Sequence, residues 1–283
     1  MAEEPTTGRW LYAVARGLDV TLLEELRGVA DAPVSGVPVP AEAGGDPLIA
    51  VVSPVSLAEF GEQALRRTLE DRDWLAATAR AHDAVVAAVS GAASAAVPLR
   101  LATVCFDDDR VRELDDESRA EFATTLDALT GRTEWGVKVY TDPAALASTE
   151  APTPATTAGT ASATAGGSGA AYLRRRKAAL SARATGERIA AEHGERLHSR
   201  LAGAAVAYRR HAPQDPKLSG ERAHMVLNGA YLVDDDRANA FAELVRALDA
   251  EHEAVRVELT GPWPPYSFAA VHQPDQRQRS EQP

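Results

Sequence analysis

The sequence predicts an α+β protein with two domains, each built from an antiparallel sheet backed by helices and similar to a ferredoxin-like fold. Short apolar stretches alternate with amphipathic helical stretches in both halves of the 283-residue chain. Between the halves, residues 147–171 contain only Ala, Ser, Thr, Gly and Pro apart from Glu150, and such a composition cannot build a core. Each half also carries an Asp-Asp-Asp-Arg cluster that follows a predicted strand and precedes a helix and another strand.

These features divide the chain into four predicted segments. The first domain covers residues 1–146, a linker or disordered loop covers 147–171, the second domain covers 172–270, and a flexible tail covers 271–283. A flexible linker of that length would have a root-mean-square span of about 25 to 30 Å. The two acidic clusters further suggest that the two domains are related α+β units.

The first domain begins with a strand and continues with alternating helices and strands. The predicted elements are a strand at 10–15, a short helix at 20–29, a Pro- and Gly-rich loop at 38–46, a strand at 48–53, a long helix at 62–89, a strand at 97–104, a helix at 108–129 and a strand at 134–140. The strands are predicted from short runs rich in aliphatic and aromatic residues. The long helix is predicted from positions three and four residues apart that share one face: Leu75, Ala79, His82, Val86 and Val89.

The second domain opens with a basic helix from Tyr172. Strands at 204–211 and 225–233, a helix at 235–251 and a closing strand at 255–260 follow. The helix is predicted from one apolar face formed by Ala238, Phe241, Val245 and Leu248. The stretch 259–268 then places three prolines and three aromatic residues in ten positions. Because proline withdraws backbone donors, this stretch cannot continue a sheet and is predicted to lay its rings against a surface that is already formed.

The charge distribution argues against nucleic acid as a partner. The formal net charge is −11, whereas residues 172–201 carry eight Lys or Arg against three Glu, a balance of +5, so the rest of the chain carries −16. Binding to phosphates needs a basic surface, and no aromatic side chains interleave the basic residues of this helix as a base-stacking platform would require. A basic helix on an acidic protein is expected to face an acidic surface of its own domain or of a partner subunit.

Two further features bear on compartment and redox chemistry. No run approaches the roughly 18 to 20 apolar residues of a membrane span, and the first residues lack the pattern of a signal peptide, so a cytosolic location is expected. The single cysteine, Cys105, excludes an internal disulfide and a zinc site with several cysteines. It lies between Val104 and Phe106 and is predicted to be a buried, inert thiol.

The two acidic clusters are the strongest candidates for catalytic chemistry. Adjacent carboxylates such as Asp107, Asp108 and Asp109 can hold a hard cation, which would allow a metal-dependent hydrolase. Each cluster, however, lies where a helix is predicted to begin, and Asp at that position caps the free N–H groups and complements the helix dipole. Capping is therefore the preferred interpretation, and the hydrolase remains the enzyme alternative.

No other motif supports catalysis or cofactor binding. His82 is predicted to be a packing residue on the apolar face of the long helix. His193 and His198 are five residues apart and so do not share a helix face as a metal-binding pair would. The glycines at 166–169 follow no strand, and no nucleophile elbow, Walker motif or kinase signature is present. The sequence thus predicts no catalytic residue, no metal ligand and no cofactor.

Several phrases, taken together, resemble the gas vesicle protein F and L family. They are WLYAV at 10–14, LIAVVSPV at 48–55, LED at 69–71 with WL at 74–75 and AH at 81–82, VPLRL at 97–101, EWGVKVY at 134–140, NGAYLV at 228–233 and LTGPWPPYSF at 259–268. They stand in the family's order and cover nearly all of the chain outside the linker and the tail. Two departures are a longer Ala-, Thr- and Gly-rich stretch before Tyr172, and Cys105 with the following aspartates in place of small residues.

The resemblance implies a non-enzymatic accessory protein of gas vesicle formation, found as a minor vesicle component in the cytoplasm. Such a protein would bind the small hydrophobic shell protein, together with other gas vesicle accessory proteins, and limit shell-protein aggregation during nucleation. The alternative is a purely structural component of the mature vesicle. The candidate interaction or domain-locking residues are those that match family phrases and present a ring or a charge: Arg100, Trp135, Lys138, Trp263 and Tyr266.

Overall fold

The computed structural model of the chain describes residues 6–40, 47–68, 70–113, 116–142, 145–146, 168–213 and 224–269. The packing divides the chain into two compact units. The first unit runs to Glu134 and also takes in the closing residues from Pro262, whereas the second unit is Trp135–Gly261. Each unit contains one antiparallel sheet and its own apolar core.

The sheet of the first unit is built around its first strand. The strands are β1 (Thr7–Arg16), β2 (Ser35–Val39), β3 (Leu48–Ser56), β4 (Ala95–Pro98) and β5 (Val104–Cys105). Their order is β2-β3-β1-β4, β5 also pairs with β1, and every one of these pairs is antiparallel. Strand β1 has neighbours on both sides, and most of its residues are buried.

Helices cover this sheet and supply the rest of its core. They are α1 (Leu57–Phe60), α2 (Glu62–Thr68), α3 (Arg72–Ala92), α4 (Asp108–Arg112) and α5 (Asp116–Leu129), with short 3-10 turns at Val20–Leu23 and Val29–Asp31. Helix α3 buries His82, Val86 and Val89 of the predicted face, together with Val85, whereas Leu75 and Ala79 are only partly buried.

The second sheet has the topology of a ferredoxin-like unit. Its elements are β6 (Arg132–Thr141), α6 (Ser168–Gly203), β7 (Ala207–Arg210), β8 (His224–Asp234), α7 (Ala238–Ala250) and β9 (Val255–Trp263). The strand order is β7-β8-β6-β9, so the first and third strands of this unit are central and the second and fourth form the edges. That order, with a helix after the first and third strands, is the split β-α-β arrangement. The predicted α+β class with two ferredoxin-like sheets is confirmed.

The two sheets correspond strand by strand, although not where the acidic clusters suggested. In the order β2-β3-β1-β4 the first and third strands are again central, so β3, α3 and β4 correspond to β8, α7 and β9. The cluster at Asp107 instead follows β5, an additional strand outside that order. The two clusters therefore occupy different places in their units, and the sequence-based alignment of the halves through them was wrong.

Several predicted elements are divided in the structure for local reasons. The predicted helix at 62–89 is interrupted at Asp71, whose carboxylate accepts the N–H groups of Asp73 and Trp74 and caps α3. The predicted strand at 97–104 is interrupted by a turn in which Thr103 donates to the carbonyl of Arg100, leaving β4 and β5 as separate strands.

Other predicted elements have a different type or extent. The helix predicted at 20–29 is replaced by the two 3-10 turns, and the helix at 108–129 is divided into α4 and α5. Strand β2 was not predicted, and its last two residues, Pro38 and Val39, overlap the stretch predicted as a loop. Pro38 is tolerated there because β2 is an edge strand.

The packing units also differ from the predicted domains. Strand β6 lies mostly in the second unit because it pairs with β8 and β9, although it was assigned to the first domain. Residues 168–171 of the predicted linker lie within α6. Residues 147–167 and the predicted tail at 271–283 lie outside the described residues, so the linker and the tail stay predictions.

A buried polar network joins α3 to the central strand of the first unit. His82 is only 1% exposed, and its Nδ1 accepts the indole N–H of Trp10 at 3.0 Å while its Nε2 lies 3.1 Å from the carbonyl oxygen of Leu99. Because an indole can only donate, Nδ1 carries no proton and Nε2–H must donate to Leu99. The structure thus holds His82 as one neutral tautomer, in agreement with its predicted packing role.

A second buried network requires a glycine. The hydroxyl of Tyr12 accepts the N–H of Val29 at 2.8 Å and lies 2.6 Å from the hydroxyl of Ser53. A Cβ at Gly28 would lie 2.0 Å from the Tyr12 oxygen, so any side chain there would displace the ring. The 3-10 turn at Val29–Asp31 is thereby fixed to β1 and β3.

The neutral His82 makes the stability of the protein depend on pH. Burial holds the pKa of His82 below its usual value, an effect that the carbonyl of Leu99 and the nearby Asp83 only partly oppose. The unfolded chain therefore binds a proton at a higher pH than the folded chain does, and stability falls as the pH drops below about 6.5. Each unit of pKa depression is equivalent to about 1.4 kcal/mol. Urea unfolding at pH 8 and pH 5.5 measures this loss.

Replacing His82 with Gln should reduce the pH dependence, because the amide cannot take up a proton. The expected result for His82→Gln is lower stability at pH 8 but a smaller loss between pH 8 and pH 5.5. His211→Gln, at an exposed position, is the matched control and should retain the wild-type slope. An unchanged slope in His82→Gln would contradict the assignment.

Candidate interaction surface

The closing Pro- and aromatic-rich segment is held in the first unit by hydrogen bonds to two carboxylates. The hydroxyl of Tyr266 donates to Asp83 on α3 at 2.9 Å. The N–H and the hydroxyl of Ser267 donate to the two carboxylate oxygens of Glu134 at 2.8 and 2.6 Å. Burial and the neighbouring Asp83 carboxylate both raise the pKa of Tyr266, so the hydroxyl keeps its proton and remains a donor. Ser267, which sequence reasoning did not single out, is thus a principal anchor of this segment.

The other candidate residues of the first unit are exposed. Trp263 is 53% exposed, and Arg100 lies at the exposed start of the turn between β4 and β5. Pro265, between Trp263 and Tyr266, is buried. The segment therefore faces its unit through Pro265, Tyr266 and Ser267 and presents Trp263 to solvent.

The two candidate residues on β6 have different surroundings. Trp135 is half-buried and packs against Phe241 of α7, with ring centroids 6.5 Å apart. Its indole N–H is buried and has no hydrogen-bond partner within the described part of the chain. Lys138 is half-buried between the fully buried Val137 and Val139. Trp135 is thus a packing residue, and the interaction roles of all five candidates stay predictions.

The first acidic cluster caps a helix and forms ion pairs. Asp107 accepts the N–H of Arg110 at 2.8 Å and caps α4, as predicted. Asp108 accepts from Arg9 at 2.5 Å, and this bond holds the pKa of Asp108 below its usual value. Asp109 pairs with Arg112 at 2.9 Å.

The second acidic cluster and two histidines make contacts within the second unit. Asp234 lies at the N-cap of the following 3-10 turn but makes no side-chain capping bond, whereas Asp235 and Asp236 lie in its first turn as predicted. His198 bonds the hydroxyl of Tyr231 at 2.9 Å, whereas the ring of His193 packs edge-on against His252. Across the described ranges, no three His, Cys, Asp or Glu side chains are grouped to hold a metal ion.

Cys105 is less buried than the sequence predicted. It is half-buried, and burial together with the nearby Asp107 raises the pKa of its thiol. The thiol is therefore poorly activated as a nucleophile, in accord with the inert role expected for it.

Strand β7 forms an open edge of the second sheet. It pairs antiparallel with β8 over Ala207–Arg210, and no other described strand pairs with it. The N–H of His211 donates to the carbonyl of Asn228 at 2.8 Å. Because bonding alternates along an antiparallel strand, the main-chain groups of Tyr208 and Arg210 face away from β8. Among the described residues, no further strand pairs with these outward-facing groups.

Exposed apolar side chains border this open edge. Val206 is 47% and Tyr208 52% exposed, and the Tyr208 ring packs edge-on against His198 with centroids 4.7 Å apart. Arg210 pairs with Glu195 of α6 at 2.7 Å. We call Val206, Tyr208, Arg209 and Arg210 the β7 edge surface. The sequence predicted the strand but not its place at the edge, because strand order depends on pairings between distant residues.

Comparison with known proteins identifies the family. The family model described as gas vesicle synthesis protein GvpL/GvpF matches residues 8–270. The chain belongs to this family. The resemblance inferred from the seven phrases is confirmed, and the protein has a gas vesicle-associated role.

Two relatives match this chain over nearly their whole length. Gas vesicle protein L of Streptomyces sp. (strain CB03234) is 44% identical over 96% of this chain and 97% of that protein. Gas vesicle protein F of the same strain is 29% identical over 92% of this chain and 98% of that protein. These relatives are named as gas vesicle proteins.

Two solved structures show the same fold. The crystal structure of GvpF from Anabaena sp. PCC7120 matches with a TM-score of 0.63 at 18% identity, covering 94% of this chain and 98% of that chain. GvpF from Microcystis aeruginosa matches with a TM-score of 0.62 at 17% identity, covering 93% and 98%. Within the described residues, no helix combines the length and the apolar character needed to cross a membrane.

The two anchors of the closing segment should differ in strength. Ser267→Ala removes one bond from Glu134, which is only 8% exposed, and should destabilise the protein by about 1 to 3 kcal/mol. Tyr266→Phe removes a bond to the exposed Asp83 and should cost about 1 kcal/mol or less. Urea unfolding followed by circular dichroism measures both changes.

A double-mutant cycle tests the Ser267 anchor directly. Glu134→Gln combined with Ser267→Ala should cost less than the sum of the two single substitutions, because both remove the same interaction. Strictly additive costs, or a larger cost for Tyr266→Phe than for Ser267→Ala, would contradict this account.

Proposed function

We propose that the protein is a non-enzymatic accessory factor of gas vesicle assembly that binds the small hydrophobic shell protein and limits its aggregation during nucleation. The family supports the gas vesicle part of this proposal, since its relatives are named gas vesicle proteins. The observation that carries the binding part is the β7 edge surface, where an open strand edge lies beside exposed Val206 and Tyr208.

An open strand edge offers a specific way to hold an aggregation-prone partner. A strand of the partner can pair with the outward N–H and carbonyl groups of Tyr208 and Arg210, which adds one strand to the sheet. The partner's own strand edge is then covered and cannot pair with another shell subunit. Val206 and Tyr208 supply apolar contact to side chains of the added strand.

The size of the edge favours reversible binding. Two outward-facing residues offer about four main-chain hydrogen bonds to an added strand. Each bond contributes a net free energy of about 1 kcal/mol to binding. Such an interaction, with two apolar side chains added, is weak enough to release the shell protein when a growing vesicle offers a larger apolar contact. Arg209 and Arg210 also limit unwanted pairing, because charged side chains on an edge oppose aggregation.

The candidate residues from the sequence contribute to this proposal unequally. Trp263 and Arg100 are exposed and could contact a partner, whereas Trp135 packs in a core and Tyr266 anchors the closing segment. Other gas vesicle accessory proteins are proposed as further partners. The proposed location is the gas vesicle and the cytoplasm around it.

Substitutions on the β7 edge surface should reduce the solubility of co-expressed shell protein. The variant Val206→Lys/Tyr208→Lys removes both apolar contacts and places two further charges on the edge. The soluble fraction of the shell protein should fall toward its level without this chain, as measured by quantitative immunoblotting of soluble and pelleted fractions.

The matched control is Val20→Lys/Leu22→Lys, which changes two apolar residues of similar exposure, 45% and 50%, in the first unit. It should keep the wild-type effect. Equal loss in both variants, or shell-protein solubility that is unaffected by the wild-type chain, would count against the proposal. Recovery of the chain at constant stoichiometry in washed, intact vesicles would instead favour a purely structural component.

A further inference from the structure

The first half of α6 differs from the second half in how far its described side chains are exposed. Every described side chain from 172 to 184 is exposed, and contact with the core of the second unit begins near Gly186. Beyond that point α6 behaves as an ordinary amphipathic helix and buries Ile189, Ala190, Leu197 and Leu201. Isolated helices of this length are only marginally stable in water, and most helices gain their stability from packing. We call residues 172–186 the basic arm.

The basic arm carries positive charges only. It contains Arg174, Arg175, Arg176, Lys177 and Arg183 but no acidic residue, a balance of +5, so the remaining chain carries −16. Arg183 pairs with Glu187 at 2.9 Å. The four consecutive basic residues at 174–177, in contrast, have no carboxylate three or four positions away along the helix.

The basic arm also exposes large apolar side chains. Leu173 is 64% and Leu180 59% exposed, and their spacing of seven residues places them on the same face of the helix. Tyr172 is 57% exposed. A complementary partner surface must therefore combine carboxylates with at least one exposed apolar group.

The first unit carries a surface with this combination. Phe106 is 59% exposed and is followed by Asp107, Asp109 and Glu113, all of which are exposed. Asp109 and Glu113 form ion pairs with arginines on their own helix, Arg112 and Arg110, at 2.9 and 2.6 Å. Exposed ion pairs of this kind contribute about 0 to 1 kcal/mol to stability. Replacing these arginines with basic residues of another molecule therefore costs little free energy. We call Phe106, Asp107, Asp109 and Glu113 the Phe106 surface.

We propose that the basic arm of one copy docks on the Phe106 surface of a second copy, so that two copies exchange arms in a symmetric dimer. Leu173 and Leu180 cover Phe106, while Arg174, Arg176 and Lys177 supply the basic groups that pair with Asp109 and Glu113. A two-fold axis forms the same contact twice, which doubles the buried apolar surface and places carboxylates beside both arms. This proposal is independent of shell-protein binding, because it concerns the purified chain alone.

Sedimentation equilibrium of the full chain at low and high salt tests the dimer. At about 0.1 M salt the Debye length is about 10 Å, and at 1 M it falls to about 3 Å. The wild type should be dimeric at the lower salt concentration. At the higher salt concentration its dissociation constant should be at least tenfold larger. The arm variant, with Arg174, Arg175, Arg176 and Lys177 all changed to Glu, should be monomeric in both.

A charge exchange identifies the surface that the arm contacts. Asp109→Lys/Glu113→Lys leaves the Asp107 cap in place and should also be monomeric, because its arm and its Phe106 surface are both basic. Mixed in equal amounts, the arm variant and this surface variant should form a heterodimer, since each contact then joins opposite charges. A far-ultraviolet circular dichroism spectrum of each variant confirms that it is folded.

The matched control reverses four exposed basic residues elsewhere and changes the net charge by the same amount. It carries Arg67→Glu, Arg80→Glu, Arg237→Glu and Arg246→Glu, and it should remain dimeric. A monomeric wild type at every concentration would overturn the proposal, as would a dimeric arm variant or the absence of a heterodimer from the mixture. A wild type that stays monomeric yet binds anionic vesicles would assign the arm to a lipid surface and equally overturn it.

Discussion

The order of strands in each sheet is the constraint on which the rest of the structure depends. In both units the first and third strands are central, the fourth lies beside the first, and the second lies beside the third. This order buries the central strands under helices on one face and leaves the second strand of each unit, β2 or β7, at an edge. Strands β2 and β7 are thus two of the edge strands beside which a strand of another molecule can add.

The two equivalent edge strands, β2 and β7, differ in sequence and in exposure. Strand β2 contains Pro38, which removes a backbone donor, and Val37 and Val39 point into the core. Strand β7 has no proline, is only four residues long, and exposes Tyr208 beside Val206. A short, charged edge opposes uncontrolled aggregation but still allows one partner strand to add. The second unit therefore provides the edge on which the proposed function rests.

The second unit also differs from the first in its long helix. The connection between the first two strands of the first unit consists of two short 3-10 turns, whereas the corresponding connection of the second unit includes the 36-residue α6. Only the later part of α6 is needed to cover the sheet, so the basic arm is additional to the fold. The β7 edge surface and the basic arm contain different residues, and self-association need not compete with binding of a partner strand.

Local sequence determined much of the fold. Apolar spacing predicted the buried face of α3, and the runs around Trp10, Leu48 and Val255 predicted strands, because side-chain periodicity follows from backbone geometry alone. The phrases spread along the chain indicated the family. The acidic cluster at Asp107 was correctly predicted to cap a helix, since capping involves residues only three positions apart.

The tertiary structure decided what depends on residues far apart in the chain. Strand order, the open edge at β7 and the correspondence between the two units could not be predicted, because one stretch of sequence does not specify its pairing partner. The role of Ser267 likewise depends on Glu134, which lies 133 positions earlier in the chain. The neutral state of His82 depends on Trp10 and Leu99, which the fold brings to opposite sides of its ring. The sequence by itself determined most of the elements and the family, whereas only the fold decided strand order and which surfaces are exposed, because both result from long-range packing.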